Sequence, residues 1–373
     1  MRLLQTKPGD PLLTGLVIGL SLFGLAMLLS ASGPVSFQQY SDPLHFVRRQ
    51  VLLGLLPGAV MYAVLSRFDY RILRNLAFPA LIASGVLLIL VFIPGLGLKL
   101  GGSHSWIKIG PFSVQPSEFV KVTFLVYAAA WLSSRGDKEA RTLEGGLAFL
   151  GALGAVILLL VLQPDTGSMA VIALTSLLMY FTSGAPLIWF AALGAMGATG
   201  LFLLIKLTPY RAARFMTFLH PELDPQGIGY HINQAFLAIG SGGVFGLGYG
   251  QSRQKYLYLP EVQGDSIFAV IGEEMGFAIT VSFLVAVGVL VWRCFVIARQ
   301  AHDRFGMYLA IGVGAWIGVQ TFVNVASMVG LMPITGVTLP FVSYGNSATV
   351  SLFVALGIVA SVCRTSGGGR ELV

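Results

Sequence analysis

In a chain with few ionisable side chains, those at or inside apolar runs are where chemistry is to be sought, because a charge in hydrocarbon is costly unless paired or used. Asp265 closes the stretch Leu259-Pro260-Glu261-Val262-Gln263-Gly264 and opens an apolar run. A carboxylate there can accept a proton as a general base, and it can also cap the helix that follows. Glu118 and Lys121 follow Gln115-Pro116-Ser117, where the proline suits a first helical position. Their i, i+3 spacing puts both on one helix face. On spacing alone a structural intramembrane ion pair is the stronger reading of the two. Asp165 lies in a tight turn, Gln163-Pro164-Asp165-Thr166-Gly167, where aspartate is commonplace. Glu273 and Glu274 fall roughly 80° and 180° around the helix from Asp265, which makes Glu273 the candidate for the same side. No histidine or cysteine shows metal-ligand spacing, and no phosphate loop, nucleophile elbow or dinucleotide fingerprint is present.

The elements that must position these groups are membrane spans. The chain of 373 residues is 55% hydrophobic and 10% charged, against about 25% charged in an ordinary soluble domain. Apolar runs long enough to cross about 30 Å of hydrocarbon recur throughout. They are continuously apolar rather than alternating, which excludes a barrel, and in lipid this leaves helices. The fold class is therefore all-α, one polytopic transmembrane bundle over residues 1–373. About ten spans are expected, near 11–31, 50–65, 76–94, 117–133, 145–162, 168–183, 185–207, 266–292, 306–330 and 347–363. The first is too long for a cleaved signal and reads as an anchor. Cys294 and Cys363 each end an apolar run beside an arginine and read as reduced thiols.

Positive charge sets the orientation. With the N-terminus in the cytoplasm, Arg2, Lys7, Arg67, Arg71, Arg74, Arg135, Lys138, Arg141, Arg293, Arg299, Arg304, Arg364 and Arg370 all fall inside, so both termini face in. Arg48, Arg49, Lys99, Lys108, Lys121, Lys206, Arg211, Arg214, Arg253 and Lys255 fall outside or within a span. Long external segments tolerate such charge; an anionic ligand on the outer face would also account for it. The stretch 206–264 between spans seven and eight is the long extracytoplasmic loop. It contains a glycine cluster at 240, 242 and 243 with further glycines at 246, 248 and 250, and its apolar content argues against disorder and for short helices packed on the membrane face. No internal repeat of the kind that marks inverted-repeat transporters is evident.

Several separated segments resemble the family that contains FtsW, RodA and SpoVE. They are Trp106 to Phe112, Gln115-Pro116-Ser117-Glu118 with Lys121, Gln163 to Gly167, Tyr210 to Arg214, Asp224-Pro225 with Gly229-Tyr230, Gly240 to Gly243, Leu259-Pro260-Glu261 with Asp265, and Pro333 to Gly345 with Ser343 in its Ser-Tyr-Gly ending. Gly250 to Pro260 looks more like FtsW than RodA. The chain departs from the family pattern in three places. Asn346 stands where a second glycine is usual, Gly264 and Ser266 flank the aspartate in place of Thr and Phe, and His104-Ser105 precede Trp106 where arginine is frequent.

The resemblance implies a peptidoglycan glycosyltransferase that polymerises lipid II on the outer face of the cytoplasmic membrane and releases undecaprenyl pyrophosphate. In it, Asp265 would be the catalytic base. Glu118, Lys121, Arg211, Arg214, Asp165, Lys255, Arg48 and Ser343 would bind substrate. A divalent cation, Mg or Mn, could share the pyrophosphate. The implied partners are undecaprenyl-linked glycan, a class B penicillin-binding transpeptidase and other divisome or elongasome membrane proteins, with no nucleic acid. A lipid II flippase and a non-enzymatic scaffold that recruits the transpeptidase are the alternatives.

Overall fold

The computed structural model describes residues 9–100, 103–110, 112–134, 143–184, 209–220 and 227–366, with Gly194, Gly197, Thr199, Gly200 and Lys206 singly. The expected seventh span, 185–207, lies almost wholly outside the described residues.

The chain crosses back and forth as helices that leave one end of the bundle for the other. Helix α1 (Pro11–Tyr40) starts where Asp10 accepts a hydrogen bond from the Leu13 N–H at 3.0 Å and a proline occupies the first turn. The second crossing begins earlier than expected. It runs as α2 (His45–Arg49), a π-helical stretch (Gln50–Leu55) and α3 (Leu56–Leu65), one continuous rod whose proline sits where the π stretch has already relaxed the hydrogen-bond ladder. Helix α4 (Ile72–Leu90) follows.

An antiparallel sheet that the apolar-run reading missed then covers this end of the bundle: β1 (Gly97–Leu100), β2 (Ser103–Ile109) and β3 (Phe112–Val114), in that order. Next come α5 (Pro116–Ser134), α6 (Leu143–Leu162) and α7 (Thr166–Thr182). Two shorter helices, α8 (Pro209–Leu219) and α9 (Ile228–Ser241), lie within the long loop. The last three are α10 (Ile267–Gln300), α11 (Arg304–Met328) and α12 (Asn346–Thr365). Among the described residues, α1, α4, α6, α10, α11 and α12 are long and apolar enough to cross a membrane. The most enclosed are α11 and α12, while α4 turns most of its surface outward. This is a multi-pass helical membrane protein.

Helices α5, α7, α10 and α12 all begin at one end, called here the site end, and the segment 329–345 folds back among their first turns. Glycine makes the closest approach possible. A Cβ on Gly24 of α1 would lie 2.1 Å from the Phe341 carbonyl oxygen of that segment, well inside van der Waals contact. At the opposite end, side chains tie the turns together. Arg293 donates to Asp10 at 2.5 Å, and Asp303 accepts from the Tyr70 hydroxyl at 2.7 Å and from Arg71 Nε at 3.0 Å.

Candidate functional site

The spacing of Glu118 and Lys121 becomes contact: Lys121 Nζ donates to Glu118 Oε1 at 2.8 Å, and both side chains are buried. Lys121 also donates to Gln320 Oε1 at 2.9 Å and lies 5.3 Å from the centre of the Trp316 ring, while Trp316 Nε1 donates to the same Gln320 oxygen at 2.7 Å. Glu118 Oε2 accepts from Ser351 at 3.4 Å. A charge pair without water is stable only when its remaining valences are filled, and α11 and α12 supply those partners.

The network continues toward Asp265. Gln320 Nε2 donates to the Thr338 carbonyl at 2.9 Å and lies 3.2 Å from its hydroxyl. One turn further along α11, the Asn324 amide donates to the carbonyls of Val337 (2.7 Å) and Asp265 (2.8 Å). Ser343 fixes the residue before the aspartate, its hydroxyl donating to the Gly264 carbonyl at 2.7 Å while accepting from Leu339 N–H at 2.8 Å. The Tyr344 N–H donates to the Gln263 carbonyl at 2.7 Å. Ser266 shares a 2.5 Å hydrogen bond with His231 of α9. Asp265 itself is 8% exposed. The N-cap position of α10 falls on Ser266, one residue later, so Asp265 is not the cap that its place in the sequence allowed.

A third carboxylate stands at the neighbouring helix starts. Asp165 caps α7, Oδ1 accepting from Ser168 N–H at 3.0 Å, and its Oδ2 accepts from Ser117 of α5 at 2.9 Å and from Gln115 Nε2 at 3.4 Å. The Gln115 N–H donates to Ser347 of α12 at 3.2 Å, and Gln50 joins the Gly345 N–H (3.1 Å) to Thr349 (2.7 Å). A cavity of about 250 Å³ lies beside these first turns, lined in part by Ser113, Phe119, Asn346 and Ser347. Helix starts carry partial positive charge, which here already meets the carboxylates of Asp165 at α7 and Glu118 in the first turn of α5.

Other residues expected at the substrate have partners of their own. Lys255 is buried, donating to Glu274 at 2.8 Å and to the Gly250 carbonyl at 2.8 Å. Arg48 is exposed and pairs with Asp42 at 3.1 Å. Glu273 turns from Asp265 into the loop before α10, where it accepts from Ser252, Arg253 and Gln254. Arg211 and Arg214 fall on α8, with side chains outside the described residues. Trp316, Gln320 and Asn324 were not singled out. Their spacing of four on an otherwise apolar helix, which stacks them along one face, was the available signal.

Buried, hydrogen-bonded ionisable residues gathered at one end of a polytopic helical bundle define a membrane protein with a built polar site. Comparison places it: residues 11–367 match the model of the cell cycle protein family of FtsW, RodA and SpoVE, and the chain belongs to that family. It is 38% identical to stage V sporulation protein E of Bacillus subtilis over 97% of this chain and 98% of that one. It is 40% identical to the probable peptidoglycan glycosyltransferase FtsW of Allochromatium vinosum, covering 97% and 91%. Among solved structures it resembles a chain of a peptidoglycan synthase complex described as coordinating polymerization and crosslinking, with TM-score 0.78, 29% identity and coverage of 96% and 98%. Thermus thermophilus RodA gives a TM-score of 0.69 at 28% identity, covering 97% and 98%.

Proposed function

We propose that this chain is a peptidoglycan glycosyltransferase that joins lipid II units into glycan strands at the outer face of the cytoplasmic membrane. Its membership of the family and the naming of its relatives support the activity. The observation that carries the site is the chain of hydrogen bonds from Glu118 and Lys121 through Gln320 to the Thr338 carbonyl, continued from the neighbouring Val337 carbonyl through Asn324 to the backbone carbonyl of Asp265.

In the reaction, the 4-hydroxyl of the acceptor sugar attacks the anomeric carbon of the donor with inversion, and the bond to undecaprenyl pyrophosphate breaks. Asp265 takes the hydroxyl proton. Negative charge grows on the departing pyrophosphate, and Lys121, Arg211 and Arg214 are the cations assigned to it in this reading. Glu118 holds Lys121 in place, Asp165 and Ser343 fix the backbone around the site, and the aspartate is largely buried.

Among the described residues no three acidic, histidine or cysteine side chains gather into a metal cage. One carboxylate together with substrate phosphates is nevertheless an ordinary setting for Mg or Mn. Such an ion would take Asp265 and pyrophosphate oxygens and would supply charge neutralisation. The complex in which a similar chain sits supports a transpeptidase partner, here of the class B penicillin-binding type.

Asp265→Asn tests the assignment. It keeps the shape and removes the proton acceptor, so polymerisation of labelled lipid II by the purified protein with its partner should fall about 100- to 10,000-fold, with an unchanged melting temperature. Wild-type glycan synthesis by this variant would refute the role.

A further inference from the structure

Helix α10 is broken at Gly276, whose φ of 72° and ψ of −179° interrupt the helical ladder. The segment 242–248 fills the break. Leu247 N–H donates to the Glu273 carbonyl at 2.9 Å and Gly248 N–H to the Glu274 carbonyl at 3.0 Å, while Phe277 and Ala278 donate to the carbonyls of Gly243 (2.9 Å) and Val244 (3.1 Å). Backbone meets backbone so closely that a Cβ on Gly246 would lie 2.2 Å from the Glu274 carbonyl oxygen. The piece Ile267–Met275, about two and a half turns, is therefore a half-helix bonded to a loop at its far end and packed against Ile239 of α9 at Gly272.

Two adjacent carboxylates lock that loop. Glu273 accepts from the Ser252 hydroxyl (2.5 Å) and from the N–H groups of Arg253 (2.8 Å) and Gln254 (3.3 Å). Glu274 accepts from Lys255 Nζ (2.8 Å), Ser252 N–H (3.2 Å) and the Ser30 hydroxyl of α1 (2.7 Å), and Lys255 lies 3.0 Å from the same Ser30 oxygen. Both glutamates are at most 1% exposed. Well-packed apolar side chains would stabilise this spot as well as or better than buried charges do. What buried charges can add is a single register. The register in question is that of the half-helix, whose other end, joined by the buried run Ile267 to Ile271, presents Asp265.

We propose that Glu273, Glu274 and Lys255 are positioning residues for glycosyl transfer: by clasping the loop 242–255 into the helix break, they fix the half-helix that presents Asp265. This rests on Asp265 being the base. A displacement of about 1 Å at a reacting group can cost about 100-fold in rate.

The test measures steady-state lipid II polymerisation by the purified protein with its transpeptidase partner, for Glu273→Gln, Glu274→Gln and the milder Ser252→Ala, beside Asp265→Asn. The two glutamine variants should lose on the order of 10- to 100-fold in kcat at unchanged KM. Ser252→Ala should show a smaller loss of the same kind at an unchanged melting temperature. Wild-type kcat in both glutamine variants, or a loss that vanishes when activity is expressed per folded protein, overturns the clasp. If Asp265→Asn is inactive while those variants run at full speed, the clasp fails alone; if Asp265→Asn is active, the reading beneath it fails too.

Discussion

Removing the Lys121 charge separates a structural ion pair from a functional one. At the 2.8 Å contact with Glu118, two unit charges attract by about 6 kcal/mol at an effective dielectric constant near 20. Each ion gave up several kcal/mol of hydration on burial, so the pair as a whole contributes little. The single variants are different. Lys121→Met leaves Glu118 with Ser351 at 3.4 Å as its nearest donor and takes from the Gln320 oxygen its charged partner. An uncompensated buried charge costs about 3–5 kcal/mol, whereas replacing both ions together is close to neutral. Lys121→Met and Glu118→Gln should each destabilise by that amount, and the double variant should recover most of it. Equilibrium unfolding in detergent and lipid II polymerisation are to be measured on the same preparations. A pair that serves only structure returns both stability and activity in the double variant. A pair that holds the leaving group returns stability alone, because the cation facing the pyrophosphate is still gone. Wild-type polymerisation by the double variant would refute the site, and a single variant costing less than about 1 kcal/mol would refute the burial argument beneath it.

In the second prediction, Gly24→Ala forces a methyl group against the Phe341 carbonyl and should cost about 1–3 kcal/mol, with polymerisation falling as the 329–345 segment shifts; an unfolding curve superimposable on wild type would contradict the packing. The third concerns Asp303 and pH. Burial alone would raise its pKa, but hydrogen bonds from Gly306 N–H, the Tyr70 hydroxyl and Arg71 win and hold it below the usual carboxylate value. Its stabilisation is therefore full above the unfolded pKa and is lost as pH falls through the lower folded one. Comparing the acid unfolding of wild type with Asp303→Asn should show the two converging at low pH, and a constant gap would refute the sign. The fourth tests orientation: in a background without Cys294 and Cys363, an impermeant thiol reagent on intact spheroplasts should label Tyr256→Cys and spare Arg67→Cys, and the reverse pattern would invert the topology.

Most helix boundaries were legible because hydrophobic length is a property of contiguous sequence. What escaped depends on partners far along the chain. The sheet of β1, β2 and β3 offered only a short alternation around Trp106-Ile107-Lys108-Ile109, easily lost between long apolar runs. The break at Gly276 sits inside an apolar stretch that reads as one span, and only the backbone of 242–248 explains it. Lys255 and Arg48 were expected at the substrate because positive charge outside a membrane suits an anionic ligand. Charge sign alone did not reveal the ion pairs the two make, with Glu274 and Asp42. Glu118 with Lys121 could be read because its geometry is local to one helix turn.

The arrangement also explains how the site can include a half-helix and a turned-back segment when a bilayer rewards unbroken spans. Irregular backbone at the level of the membrane is tolerated where protein covers it. Here the carbonyls of Val337, Thr338, Gly264 and Asp265 are each met by Asn324, Gln320 or Ser343. Those three side chains therefore do double duty: they satisfy backbone that would otherwise be stranded, and in doing so they fix the separation between the cation of α5 and the carboxylate before α10. A change such as Asn324→Leu would strand two buried carbonyls and free Asp265 at once. Stability and activity should fall together there, unlike in the double variant of Glu118 and Lys121.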